Sequence, residues 1–124
     1  MGGANFNLDD DLEILSLSSP RTNVGGPYAV VYKSVVERWA IVALDWDAEP
    51  RLGIRWFWGG GGNPFSSSHP TWLVIPPSLS RGMLASLPLP HKFHRMLDDF
   101  LAGVMTGNEL RRKSNPGNST DSAV

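Results

Sequence analysis

Asp45 and Asp47 flank Trp46 in a strand-like run, and His69 lies in a glycine-rich stretch further along. Alternate positions of a strand share a face, so the two carboxylates can hold a divalent metal or divide acid and base roles. A histidine in a loop can act as a general base. Together the three would make a small hydrolase or isomerase. The simpler account is that aspartates beside a turn shape it and keep it soluble. A second cluster, His91, His94 and Asp98, falls on the polar side of a helical pattern, with His94 and Asp98 one turn apart. Two imidazoles and a carboxylate are metal ligands. However, HKFHRMLDD is not the zincin pattern, and Lys92 and Arg95 repel a cation, so this face reads as solvated. No serine stands in a nucleophile elbow. The absence of cysteine removes thiol catalysis, disulfides and Cys-based zinc sites. The residues therefore predict no catalytic group, no metal and no cofactor.

The other chemistry on offer is contact. All five tryptophans lie between Trp39 and Trp72. Aromatic rings beside arginine on a sheet face can stack bases, sugars or a partner's side chains. The candidate binding set takes its area from Trp46, Phe57, Trp58 and Trp72, and its polar anchors from Arg55, Asn63 and His69. Trp39 and Trp56 fall on the more apolar face and are expected inside. The loop over residues 59–70, GGGGNPFSSSHP, lacks the Lys-Ser/Thr ending of a phosphate-binding loop and no helix follows it directly. Its glycines let it reshape at little cost, as closing over a ligand requires. The plainer reading is a loose connection. Exposed aromatics on a sheet also mark dimer interfaces, so a homo-oligomer is the expected form of binding, beside a small-molecule or protein partner.

Composition narrows the classes further. A formal net charge of −1 supplies no field for a polyanion. Nucleic-acid binding is thus disfavoured, even on the Arg51, Arg55 and Phe57 face. The basic cluster Arg111-Arg112-Lys113 is too short to change that. No apolar stretch is long enough to span a bilayer. The opening MGGANFNLDDD is acidic and lacks the apolar run of a signal peptide, and Phe6 stands where a myristoylation signal has Ser or Thr. A cytoplasmic protein, without membrane contact, is expected.

These residues need elements to position them. A length of 124 residues predicts one domain over residues 1–107, with 1–11 as a flexible lead-in and 108–124 as a mobile polar tail. Strands are expected over 12–17 and 28–36, with Gly25-Gly26-Pro27 as a stop between them. A hairpin over 39–46 and 51–58 turns at Asp47-Ala48-Glu49-Pro50. With Trp46 opposite Arg51, one face carries Trp39, Ile41, Ala43, Leu52, Ile54, Trp56 and Trp58. A fifth strand covers 71–75. A short helix capped by Ser78 runs to about residue 87. A second begins near Pro90, where Phe93, Met96, Leu97, Phe100, Leu101 and Val104 recur at helical spacing. Strands followed by helices make an α+β fold: a mostly antiparallel sheet of about five strands, with two C-terminal helices on its better face.

The run WAIVALDWDAEPRLGIRWFWGGGG, followed by TWLVIPP, resembles small bacterial single-domain proteins of the integron gene-cassette type, over residues 28–105. The resemblance implies a dispensable adaptive role, with binding at least as expected as catalysis. It carries no functional residue across.

Overall fold

A computed structural model describes residues 8–57, 62–66 and 68–114. Helix α1 (Asp11–Leu15) precedes a meander of three strands, β1 (Val24–Ser34), β2 (Trp39–Trp46) and β3 (Glu49–Trp56). A small hairpin, β4 (Phe65–Ser66) and β5 (His69–Pro70), leads to β6 (Leu73–Ile75). Helices α2 (Pro77–Ala85), α3 (His91–Leu101) and α4 (Gly107–Ser114) follow. The main sheet is antiparallel with order β1-β2-β3-β6, so β1 and β6 are its edges. The class is α+β as expected. Four strands and a separate hairpin stand in place of about five, and three helices follow the sheet in place of two. No helix among the described residues is long and apolar enough to cross a membrane.

The central strand β2 is buried from Ala40 to Leu44 because both faces of the sheet are covered. On one face Ala29, Val31, Ile41, Ala43, Leu52 and Ile75 pack under Leu84, Leu97, Phe100 and Leu110 of the three C-terminal helices. On the other, Ala40, Val42 and Leu44 pack against Leu8, Ile14, Phe57 and Trp72. Each larger side chain buried in these layers contributes about 1.5–3 kcal/mol before the entropy of ordering it is set against it. The sheet therefore needs no second copy to cover its other face.

Several local expectations are corrected. Residues 12–17 do not form a strand; α1 stands there. Asp10 accepts the Leu12 N–H at 2.9 Å, and Asp11 and Glu13 place negative charge in the first turn. Ile14 is fully buried while Leu12 is 76% exposed, which one strand face would not allow. The lead-in also reaches the core, since Leu8 is buried and its carbonyl accepts from Lys33 Nζ at 2.6 Å. Gly25-Gly26-Pro27 does not stop a strand. It lies within β1, where Gly26, at φ +84°, makes an irregularity in the β1–β2 register.

The hairpin turns on two residues instead of four. Trp46 pairs with Glu49 and Ile41 with Ile54. This register differs from the expected one by an even shift, so the faces are those assigned from the sequence. Asp47 at φ +53° and Ala48 at +67° both occupy the left-handed region, as a tight hairpin turn requires. Asn23 steadies them, donating to Asp47 Oδ1 at 2.5 Å and accepting the Asp47 N–H at 2.8 Å.

At the other end, α2 begins with Pro77 in its first turn and has no Ser78 cap. Helix α4 occupies the start of the expected polar tail. Thr106 Oγ1 accepts the Glu109 N–H at 3.1 Å, and Glu109 Oε1 accepts the Thr106 N–H at 2.9 Å. This reciprocal cap starts the helix, and buried Leu110 fastens it.

Candidate functional site

Three of the seven residues expected to form a binding surface around the glycine loop, Arg55, Phe57 and Trp72, sit in the interior, while Asn63 and His69 are exposed. Arg55 is 1% exposed. Its Nη1 donates to the Pro64 carbonyl and to the Thr71 carbonyl, the latter at 3.0 Å. Its guanidinium carbon lies 5.4 Å from the Phe57 ring centre and 5.3 Å from that of Phe65. Burial lowers its pKa to about 10, which still leaves it charged at neutral pH. Phe57 and Trp72 are buried edge to face, 6.2 Å apart, and Trp72 Nε1 donates to the Leu17 carbonyl at 2.7 Å. This cluster ties the segment after the glycine run to the N-terminal segment. Trp46 is half-buried against the same layer.

Asn63 pairs backbone to backbone with Trp56, at 2.9 and 3.1 Å. His69 is exposed and pairs with Ser66 in the β4–β5 hairpin; it lines a shallow depression with residues 16–19, Arg21 and Pro70. Trp58 lies outside the described residues. Trp39 and Trp56, expected inside, stand at the end of the sheet. Trp39 is half-buried and Trp56 is 37% exposed.

The acidic candidates serve the fold. Asp45 Oδ2 accepts the Tyr28 hydroxyl at 2.7 Å, and Asp47 is held by Asn23 in the turn. His94 Nδ1 lies 3.4 Å from Asp98 Oδ2 on α3, a partly exposed pair. Among the described residues no group of three or more His, Asp or Glu side chains is placed to hold a metal.

A different place gathers side chains around open space. A groove of about 790 Å³ follows the outer edge of β1. Tyr28, Ala29 and Val30 form its floor. Leu12 and Leu15 of α1 make the wall on the sheet face that Val30 shares with Ile14. Phe93 and Met96 of α3, with Arg111 and Lys113 of α4, make the opposite wall on the Ala29 face. Lys92 adds a third cation to that wall. Among the described residues the one carboxylate in the lining, Asp11, is 2.7 Å from Lys33 Nζ. The groove is thus basic in a chain of net charge −1.

Arg111 is held in place before any ligand arrives. It donates to the Pro27 carbonyl at 3.2 Å and to Asn108 Oδ1 at 3.5 Å, and its guanidinium carbon is 5.2 Å from the Tyr28 ring centre. Tyr28 is fixed in turn by Asp45, and burial with that hydrogen bond pushes its hydroxyl up to about 12. It remains a neutral donor at physiological pH. Helix α4 can approach this ring because Gly107 has no Cβ; one built there would run into it. Apolar walls with cations on one side, Arg111 among them held in place, suit an anionic group carried on an apolar body.

Arg111-Arg112-Lys113, expected in a polar tail, stands on α4. The Thr106-x-x-Glu109 capping box was the signal that would have put it on a helix. Phe93 and Met96, expected in the core, and Leu12, expected in a strand, line the groove.

No protein-family model matches the chain, and no curated protein or solved structure was found to be similar to it.

Proposed function

We propose that the chain is a non-catalytic binding module whose ligand lies along the β1 edge, an anion carried on an apolar body. The observation that carries this reading is the meeting of Lys92, Arg111 and Lys113 with Leu12, Leu15, Phe93 and Met96 around one groove. A small molecule or a segment of a protein partner would satisfy it. The cysteine-free composition fits a cytoplasmic setting. The likeness to integron-cassette products, which implies binding at least as much as catalysis, agrees.

Anilinonaphthalene sulfonate (ANS), an apolar ring system with one anionic group, is a direct probe. It should bind saturably, and the double reversal Lys92→Glu with Lys113→Glu should weaken it about tenfold or more. Arg95→Glu, an exposed reversal outside the lining, should change it little. Equal losses in both variants, or none in either, reject the groove as the site.

Self-association is a second reading with its own observation. Tyr32, Trp39 and Trp56 stand in a row with ring centres 5.7 and 6.3 Å apart. Trp56 in this row is exposed, as is Leu73 (58%) on the neighbouring strand β6. Sedimentation across a dilution series should show a dimer that Trp56→Ser dissociates. A monomer at every concentration removes this reading.

A further inference from the structure

Resting on the groove reading above, we infer that its occupant is an extended peptide strand alternating acidic and apolar residues, added to the free edge of β1. The first support is backbone. β1 runs for 11 residues, with register breaks against β2 between Gly25 and Ala29 and between Val30 and Tyr32, and no described strand pairs with its outer edge. The groove meets that edge at Tyr28, Ala29 and Val30, the stretch between the two breaks and just past the Pro27 carbonyl that Arg111 occupies, so a short added strand finds main-chain groups there as well as side chains.

The second support is the arrangement of the walls. Side chains of an added strand point alternately to the two faces of the sheet. One set falls against Leu12 and Leu15 of α1. The other meets Lys92, Arg111 and Lys113, which all stand on the α3–α4 side. On the α1 side the only charge in the lining, among the described residues, is Asp11, already paired with Lys33. Alternation of glutamate or aspartate with aliphatic residues matches this division, acids toward α3 and α4, apolar residues toward α1.

The same charges weigh against the obvious competitor. If β1 paired with β1 of a second copy about a two-fold axis, the basic walls of both would lie on one face of the joined sheet. Cation would meet cation. A small amphipathic anion fits the walls but leaves the strand edge unpaired.

The test uses a short, end-capped, labelled peptide alternating valine and glutamate, and a peptide of the same composition with the two residue types in blocks. Two more versions carry N-methyl groups on every glutamate or on every valine. Amides of alternate residues point the same way, so one version blocks the edge facing β1 and the other blocks the outer edge. The alternating peptide should bind by fluorescence anisotropy, displace ANS and slow amide exchange in β1. The block peptide should be weaker. One N-methyl version should lose about tenfold or more and the other should stay within about threefold. If ANS binds in the manner that depends on Lys92 and Lys113 but both N-methyl versions bind equally, or no peptide binds, the groove takes a small anion and strand addition is wrong. If neither ANS nor peptide binds, the groove reading falls with it. Slowed β1 exchange that rises with protein concentration alone would make the occupant a second copy and overturn the inference.

Discussion

Arg55 and Arg111 make similar contacts with aromatic rings, 5.4 Å from Phe57 and 5.2 Å from Tyr28. Both also donate to main-chain carbonyls. Their surroundings differ. Arg55 lies on a sheet face sealed by Leu8, Ile14 and Trp72, and its donors hold the segment around Pro64 and Thr71. Arg111 is an exposed residue beside an open strand edge, with two cations and two apolar walls for company. The pairing of arginine with aromatic rings thus fastens the fold where the sheet is covered. Where the sheet edge is open it leaves the guanidinium exposed in the groove wall. Residue type alone does not separate these roles; coverage of the sheet does.

The largest expected effect separates the two regions by stability. Trp72→Ala should cost about 3–5 kcal/mol in urea unfolding, through the lost ring and the unpaired Leu17 carbonyl. Leu12→Ser, in the groove wall and already exposed, should stay within about 0.5 kcal/mol while weakening ANS binding. Under conditions where Trp72→Ala remains folded, its ANS affinity should match the parent. A small cost at Trp72 with a large one at Leu12 would reverse the comparison.

These two regions were not equally legible. The β2–β3 hairpin and the stripe on α3 came through because their apolar residues repeat at the period of the element. The fate of Arg55 did not. Alternation assigned it to the correct face, but what covers that face comes from Leu8, Ile14 and Trp72, distant in sequence. The groove was harder still, since Leu12, Val30, Lys92 and Arg111 meet only when the first helix and the last flank one edge. The sequence shows LEILSL as apolar and alternating, which suits a strand. The Asp10 cap and the acidic first turn decide for a helix. The abundance of tryptophan drew attention to the interior cluster, while the open edge is lined by lysine, leucine and methionine that attract none.

Alkaline pH should pull on the two regions in opposite directions. Tyr28, pushed up to about 12, holds its proton more tightly in the folded chain than in the unfolded one. Its contribution is complete below about pH 10 and is lost as pH rises toward 12. Arg55, brought down to about 10, binds its proton less tightly when folded. Over the same window it therefore makes stability rise with pH. Tyr28→Phe should make the slope of stability against pH more positive between about pH 10 and about 11. Arg55→Met should make it more negative in whatever stability remains. Urea midpoints taken at steps of pH read both slopes. Unchanged slopes would mean that neither group is coupled to folding as its surroundings imply.

The smallest expected effect is the sharpest test of whether the α4 wall is a site or a diffuse charge. Arg111 and Arg112 are sequence neighbours with the same charge, but only Arg111 lines the groove. Arg112 still lies within about one Debye length of the groove at physiological salt, so a diffuse field would weigh the two nearly alike. A bound site would not, because Arg111 is held by the Pro27 carbonyl and the Tyr28 ring and needs little further ordering to meet an anion. Arg111→Gln should therefore weaken ANS several-fold, by an amount that shrinks only partly as salt is raised. Arg112→Gln should change it less than about twofold, and that residue of an effect should vanish at high salt. Equal effects from the two arginines would turn the open edge back into a merely basic surface, and the contrast with buried Arg55 would then be one of burial without function.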